Sequence, residues 1–241
     1  MKMKFENTDV FGFEAAIRGM RNPKNSWQKS DSYKGERISV RPCYYCEQVE
    51  MNPDCSHCGK ETFKYLPEGF TIGPNDLRLM QTLIRGGGEH RKFMRMIHVQ
   101  VDVTMPRYFW SELDTYHFGT KNSCSTMHKL LNTDTPITPD LFVYCEEDLP
   151  LLTIIITKLE GLRIQYRSGE FTQKEKDKLL LRAKRLLPEG FLQKRTWDTN
   201  YEEIRNIYHQ RKHHKLKEEW QDAFCSWVEC LPYFDELIAF H

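Results

Sequence analysis

The segment from Ile97 to Thr104 alternates between apolar and polar side chains, and this alternation constrains the fold more than any other feature. Ile97, Val99, Val101 and Val103 point to one side of an extended chain, and His98, Gln100, Asp102 and Thr104 point to the other. A period of two is typical of a β-strand with one buried face. The sequence therefore predicts a half-buried strand at this position.

A cluster of hydroxyl and amide side chains follows this strand, shortly after the aromatic residues Tyr108, Phe109 and Trp110. The cluster consists of Thr120, Asn122, Ser123, Ser125 and Thr126. Such groups can hydrogen-bond a ligand without the desolvation cost of a full charge. The cluster therefore indicates either the floor of a binding site or an ordinary polar turn between a strand and a helix.

This stretch resembles the core of the flavin-dependent thymidylate synthase (ThyX) family, whose signature reads R-H-R-x-x-S-x-N-E-x-S-x-R-Y. Aligned without a gap, the signature falls on residues 115–128. The Asn of the signature falls on Asn122, its first Ser on Thr120 and its second Ser on Ser125. Upstream, His90 takes the place of the family's flavin-side His. The spacing of the signature is therefore kept.

The charged positions of the signature differ in this sequence. The R-H-R triplet is Thr115, Tyr116 and His117, the Glu is Ser123, and the late Arg-Tyr is Met127 and His128. A second element of the family, an Asn followed by an Arg eleven positions later and a Glu eight beyond, fits Asn200, Arg211 and Glu219. The family's Arg two places after that Asn is Glu202 here.

The resemblance implies an α+β fold, an antiparallel sheet packed with helices, in one domain spanning residues 1–241. It implies a protein that uses FAD, methylene-tetrahydrofolate and NAD(P)H to methylate dUMP or a related pyrimidine nucleotide, and that assembles as a homotetramer. Ser125 and Arg211 are the implied catalytic residues on the dUMP side. The implied flavin-binding residues are His90, His117, Thr120, Asn122 and Asn200.

The missing arginines favour a second hypothesis, a non-catalytic nucleotide-binding or assembly protein on the same scaffold, because a phosphate group requires cationic or N–H donors. If a phosphate is bound, its positive charge comes from elsewhere. Arg107, Lys121 and Lys129 are the nearest candidates in the sequence.

Arg211 lies on the apolar stripe of a predicted helix that begins after Asn200. A guanidinium buried there requires an anionic or carbonyl partner.

Four cysteines have the spacing of a metal site. Cys43 and Cys46 form one C-x2-C pair, and Cys55 and Cys58 form a second pair eight residues later. Four thiolates at this spacing suit one tetrahedral structural zinc ion, whereas disulfides are the competing interpretation. The sequence therefore predicts a zinc-ribbon-like insertion over residues 40–60. The four remaining cysteines lack ligand spacing, and we expect them to be buried free thiols.

Composition restricts the other function classes. The formal net charge is +1, and the stretch from Cys43 to Cys58 contains no Lys or Arg, so neither a global nor a local field favours nucleic acid. No apolar run approaches the roughly 20 residues that span a bilayer. The first residues lack the continuous apolar run of a signal peptide, so we expect a cytoplasmic protein.

Overall fold

The computed structural model describes residues 3–34 and 70–241, and its chain divides into two compact units. Unit 1 comprises Met1–Lys4, Asp102–His117 and Lys121–Thr196, and unit 2 comprises Phe5–Val101, Phe118–Thr120 and Trp197–His241. The helices are α1 (Phe13–Arg21), α2 (Pro74–Arg85), α3 (Arg107–Leu113), α4 (Thr126–Lys129), α5 (Leu149–Arg167), α6 (Gln173–Leu186), α7 (Tyr201–Arg211) and α8 (Ser226–Glu229). The strands are β1 (Lys4–Phe11), β2 (Tyr33–Lys34), β3 (Phe70–Thr71), β4 (His98–Pro106), β5 (Thr120–Ser123) and β6 (Leu192–Asn200).

Four of these strands form one sheet in the order β1-β4-β6-β5, so β5 is an edge strand. β2 and β3 form a separate antiparallel ribbon that pairs Tyr33 with Thr71 and Lys34 with Phe70. The predicted strand is confirmed as β4, because Ile97, Val99, Val101 and Val103 are buried while His98, Gln100, Asp102 and Thr104 are at least partly exposed.

Unit 1 is built on the pairing of α5 with α6. A capping box begins α6, in which the Thr172 backbone N–H donates to Glu175, as its sequence spacing predicts. Pro150 stands in the first turn of α5, where its missing N–H costs nothing. A cluster of buried side chains fills the space around these helices: Leu130, Leu131, Ile137, Phe142, Leu152, Ile156, Leu159, Leu162, Leu179, Ala183 and Leu187.

Unit 2 has an aromatic core. The rings of Phe5 and Trp227 stack with centroids 4.6 Å apart, and the Trp227 indole N–H donates to the Thr8 hydroxyl at 3.1 Å. Tyr201, at the start of α7, is fully buried and donates its hydroxyl to the Pro232 carbonyl at 2.6 Å. Because both polar atoms have partners, these large side chains add packing without an unsatisfied donor.

The long periodic segment after Asn200 is a set of short helices, contrary to the single core helix that its apolar stripe predicts. α7 ends at Arg211, a π-helical segment runs over Glu218–Cys225, and α8 follows directly. The stripe is nevertheless buried in most places, since Ile204, Ile207, Trp220, Phe224 and Val228 are fully buried. The apolar stripe thus predicted correctly which side chains are buried, although it did not predict that the helix is interrupted.

Candidate functional site

The segment that matches the family signature lies on an exposed edge of the fold. His117, Phe118, Gly119 and Thr120 are exposed, β5 carries the exposed side chain of Asn122, and Ser125 precedes α4. The Ser125 carbonyl accepts from the backbone N–H groups of His128 and Lys129, at 3.2 and 3.0 Å. Of the predicted hydroxyl and amide cluster, Thr120, Asn122 and Ser123 are therefore exposed and Ser125 is partly exposed, whereas Thr126 is buried.

Gly119 allows this segment to run close to β6. Its φ is 145°, and a Cβ atom there would lie 2.6 Å from the Asp198 carbonyl oxygen. The Thr199 hydroxyl, on the same strand, donates to the Phe118 carbonyl at 3.1 Å. A side chain at position 119 would separate the two segments, so Gly119 is required for this close approach.

The predicted site residues fall in both units. Unit 1 contains His117, Asn122 and Ser125, whereas unit 2 contains His90, Thr120, Asn200 and Arg211. Asn200 and Arg211 lie at the two ends of α7. Because an α-helix rises about 1.5 Å per residue, the two residues are about 16 Å apart along the helix axis. These two side chains therefore cannot contact the same small chemical group.

At the start of α7, Asn200 is a helix cap, because its side-chain oxygen accepts from the Glu203 backbone N–H at 3.0 Å. Glu202 accepts from the Nε atom of Arg91, at 3.0 Å to Oε1 and 2.9 Å to Oε2. Arg91 is the neighbour of His90 in the sequence. The acidic residue at the position of a family arginine is thus paired with an arginine from another segment.

Arg211 is only partly buried, and its guanidinium carbon lies 4.5 Å from the centroid of the Trp220 ring. Trp220 is fully buried, so the guanidinium covers an indole face and gains a cation–π contact. The deeply buried arginine of α7 is Arg205, which donates to the carbonyls of Ile238 and Phe240 at 3.0 and 2.7 Å. Arg205 therefore has carbonyl partners of the kind that a buried guanidinium on this helix requires.

A cationic cluster in unit 1 lies next to Ser125. The Lys184 ammonium, on α6, donates to the Thr126 hydroxyl at 2.5 Å. Burial, followed by the nearby charge of Arg107, lowers the pKa of Lys184, and Glu189 opposes this effect. In the part of the chain that the structure describes, no carboxylate lies within ion-pairing distance of Lys184. Within residues 3–34 and 70–241, the half-buried ammonium therefore has no direct counterion.

The cations nominated from the sequence have different surroundings. Arg107 pairs with the exposed Glu189 at 3.1 Å. Lys121 is largely buried and pairs with Asp114 at 3.3 Å, and Arg195 shares that carboxylate at 3.0 Å. Lys129 is exposed. Lys184 was missed because it is one of several Lys and Arg residues on a polar helix face, and only the folded chain brings it to Thr126.

The described residues contain no group of three or more His, Cys, Asp or Glu side chains that could hold a metal ion. The predicted zinc ligands Cys43, Cys46, Cys55 and Cys58 lie outside those residues.

The expectation that the other four cysteines are buried is right for Cys225. Burial raises the pKa of the Cys225 thiol to about 12. It is wrong for Cys124 and Cys145, which are exposed, and Cys230 is intermediate.

No helix among residues 3–34 and 70–241 has the length and apolar character needed to cross a bilayer. No protein-family model matches the sequence, and no curated protein sequence matches it.

The fold, by contrast, is similar to solved structures. One is the flavin-dependent thymidylate synthase ThyX from Helicobacter pylori complexed with FAD and dUMP, with a TM-score of 0.63, 15% identity, and coverage of 99% of this chain and 98% of that chain. A second structure of ThyX from the same organism, with FAD and dUMP, has a TM-score of 0.61, 15% identity, and coverage of 98% and 96%. The resemblance seen in the signature is therefore confirmed at the level of the fold, and this chain has a ThyX-like fold of mixed helices and sheet.

Proposed function

We propose that the protein binds a pyrimidine nucleotide such as dUMP, and that the Lys184 and Arg107 cluster beside Ser125 receives its phosphate. The single observation that carries this proposal is the half-buried Lys184 ammonium, which has a hydroxyl but no carboxylate partner among the described residues. Two cations near one exposed carboxylate leave an excess of positive charge, and a phosphate group neutralises it.

The solved structures support the choice of ligand. Both solved structures of Helicobacter pylori ThyX contain dUMP together with FAD. In this chain Ser125, Thr126 and Lys184 offer hydroxyl and ammonium donors within one unit. Met127 takes the place of a family arginine, and Lys184 and Arg107 provide the cationic charge that Met127 lacks.

The reaction that we propose is methylation of the bound nucleotide with FAD, methylene-tetrahydrofolate and NAD(P)H. His90, His117, Thr120, Asn122 and Asn200 are the residues that would hold the flavin, which supplies hydride chemistry when bound. The exposed amide of Asn122 and the open donors of Arg91 beside His90 fit a polar, anionic cofactor. Ser125 and Arg211 would orient and polarise the pyrimidine ring.

Replacing Lys184 by Gln is expected to weaken dUMP binding about 10- to 100-fold, because one charged hydrogen bond contributes roughly 1.5–3 kcal/mol. Binding of deoxyuridine, which has no phosphate, should not change.

Arg211→Ala is expected to abolish binding of both dUMP and deoxyuridine. This substitution also removes the contact between the guanidinium and Trp220. Isothermal titration calorimetry measures all of these affinities.

The exposed Lys178 on the same helix provides a matched control, and Lys178→Gln should bind dUMP like the wild type. Equal dUMP binding by Lys184→Gln and wild type would remove Lys184 from the site. Absence of binding by the wild-type protein would leave only the fold in common with ThyX.

A non-catalytic nucleotide-binding or assembly protein is the second candidate function. The observation in its favour is Glu202, a carboxylate at the position of a family arginine. This carboxylate accepts a hydrogen bond from the Nε atom of Arg91. Turnover separates the two functions, since only the enzyme converts dUMP to dTMP when FAD, methylene-tetrahydrofolate and NADPH are supplied. Binding without turnover would select the second candidate.

We also propose that the four thiolates of residues 43–58 hold one structural zinc ion. Purified protein should then contain about one zinc per chain, and Cys46→Ser or Cys58→Ser should release it. Elemental analysis of protein prepared without chelator provides the measurement. A zinc content near zero, with four titratable thiols or two disulfides in its place, would contradict the proposal.

Assembly as a homotetramer is a further proposal from the resemblance. Leu151, Ile154 and Ile164 are exposed apolar side chains on α5, and burial against another surface would remove them from water.

A further inference from the structure

Arg91 makes an unusual contact with Glu202. The side chain reaches the carboxylate with Nε alone, at 3.0 Å to Oε1 and 2.9 Å to Oε2. Among the described residues, its Nη1 and Nη2 groups have no hydrogen-bond partner. The Arg91 side chain is 27% exposed, so a ligand can approach these groups from solvent. Four N–H donors of the planar fork therefore remain available.

Glu202 fixes the position of this fork. Its carboxylate is 15% exposed and lies in the first turn of α7, where the positive end of the helix dipole stabilises a negative charge. A guanidinium held at its Nε end presents its two Nη groups in one direction. This arrangement suits two oxygens of a phosphate group and needs little reorganisation on binding.

The surroundings of Arg91 carry excess positive charge. Arg205 lies close enough that, after burial, the Arg91 charge is the main influence lowering the pKa of Arg205, while Glu202 opposes it. The Nη groups of Arg205 are already engaged by the carbonyls of Ile238 and Phe240 and by His209. Two guanidinium groups thus lie near one carboxylate. The one unpartnered donor of Arg205 among the described residues, its Nε atom, is buried, whereas the Arg91 side chain is partly exposed.

We propose that Arg91, oriented by Glu202, binds a phosphate group of the ligand. The inference rests on the proposed function, in which Lys184 and Arg107 receive the nucleotide monophosphate, so the pyrophosphate of a flavin dinucleotide is the expected source of the phosphate at Arg91. The monophosphate of a pyrimidine nucleotide is the second source of the same chemistry, and the test distinguishes the two. In either case the cationic charge comes from the segment after His90 and not from α7. Glu202 is a positioning residue that acts through Arg91.

The test compares ligands with and without phosphate. Arg91→Gln is expected to weaken binding of FAD or of dUMP about 10- to 100-fold, since a charged hydrogen bond is lost, and to leave riboflavin and deoxyuridine binding unchanged. Arg95→Gln is the matched control, because Arg95 is exposed in the same short helical segment, Arg91–Met96. An effect confined to FAD identifies the pyrophosphate, and an effect confined to dUMP identifies the monophosphate.

A second variant separates ligand binding from a structural ion pair. Arg91→Lys can keep the ion pair with Glu202, and so the fold, but it loses the free fork. Weaker binding of the phosphorylated ligand by a folded Arg91→Lys supports the inference. Affinities equal to wild type in both Arg91 variants overturn it, while the proposed nucleotide binding stands.

Inorganic pyrophosphate distinguishes failure of this inference from failure of the proposed function. If the wild type binds neither FAD nor dUMP, the proposed function fails, and the thermal shift with pyrophosphate then decides the role of Arg91. A rise in Tm for the wild type and for Arg95→Gln, but not for Arg91→Gln, supports an anion site at Arg91. No rise for the wild type overturns it.

Discussion

Replacing Asp76 by Ala is expected to lower the free energy of unfolding by about 3–5 kcal/mol, the loss typical of a buried ion pair broken on one side. Asp76 is fully buried and accepts from the Arg21 Nε atom at 2.6 Å and from the hydroxyls of Ser30 and Ser32 at 2.7 and 2.6 Å. Burial raises its pKa, but the hydrogen bonds from Ser32, Ser30 and Arg21 together outweigh this and lower it. The carboxylate is therefore charged, and its removal leaves the Arg21 guanidinium buried and without its anionic partner.

Urea unfolding followed by circular dichroism provides the measurement for Asp76→Ala. Asp9 is exposed on β1, and Asp9→Ala should change the free energy of unfolding by no more than about 0.5 kcal/mol. A loss below about 1 kcal/mol for Asp76→Ala would mean that the buried network relaxes or admits water without much cost.

The protein is expected to lose up to about 3 kcal/mol of stability as the pH falls from 6.5 to 4, because His209 is held neutral in the folded state. Burial, followed by the charge of Arg205, lowers the pKa of His209 from 6.5 to about 4. Its Nε2 atom lies next to an Nη atom of Arg205, so a proton on Nε2 would face a guanidinium, and the Ile238 carbonyl at 2.9 Å from Nε2 raises the pKa of His209 only in part against these two effects. Between these two pH values the unfolded chain binds a proton that the folded chain does not. The unfolded state is therefore favoured as the pH falls, and the full stability is present above pH 6.5.

Unfolding experiments at closely spaced pH values test this expectation. His209→Gln should flatten the dependence between pH 4 and 6.5, whereas His213→Gln, at an exposed histidine, should retain it. The pKa of Asp76 is lowered from 3.8, so its contribution is lost mainly below this window, whereas the pKa of Glu160 is lowered from 4.5 and its contribution begins to be lost inside it. The comparison with His209→Gln separates the histidine from such carboxylates, because they are present in both proteins. An equal slope in wild type and His209→Gln would show that another group causes the acid sensitivity.

The sequence predicted local structure wherever adjacent residues determine it. The alternation of β4 and the spacing of the Thr172 and Glu175 capping box are confirmed, because each depends on residues within a few positions of one another. The start of α2 has a different origin. The Asp31 carboxylate accepts from the Asn75 and Asp76 backbone N–H groups at 2.9 and 3.1 Å. A cap supplied from 44 residues away leaves no local signal.

For the candidate site, the sequence predicted the fold that carries it. The spacing of Asn122, Ser125 and Asn200 indicated this fold, which the similarity to ThyX structures confirms, whereas their roles in a site stay predictions. The two cations proposed to bind phosphate could not be found from spacing. Lys184 reaches Thr126 across 58 residues and Arg91 reaches Glu202 across 111 residues, and no sequence pattern relates such distant positions. Identification of these pairs requires the folded chain.

The ribbon formed by β2 and β3 brings two points that are distant in the sequence next to each other. Lys34 and Phe70 are paired neighbours, although 35 residues separate them in the sequence. The Ser32 hydroxyl also donates to Asp76, which fixes the end of β2 near α2. Because each doubling of the length of the chain between two such points costs only about 0.6 kcal/mol in closure entropy, an insertion between β2 and β3 should have little effect on the free energy of unfolding of the remaining chain. A new function could therefore be added at this point without redesign of either unit.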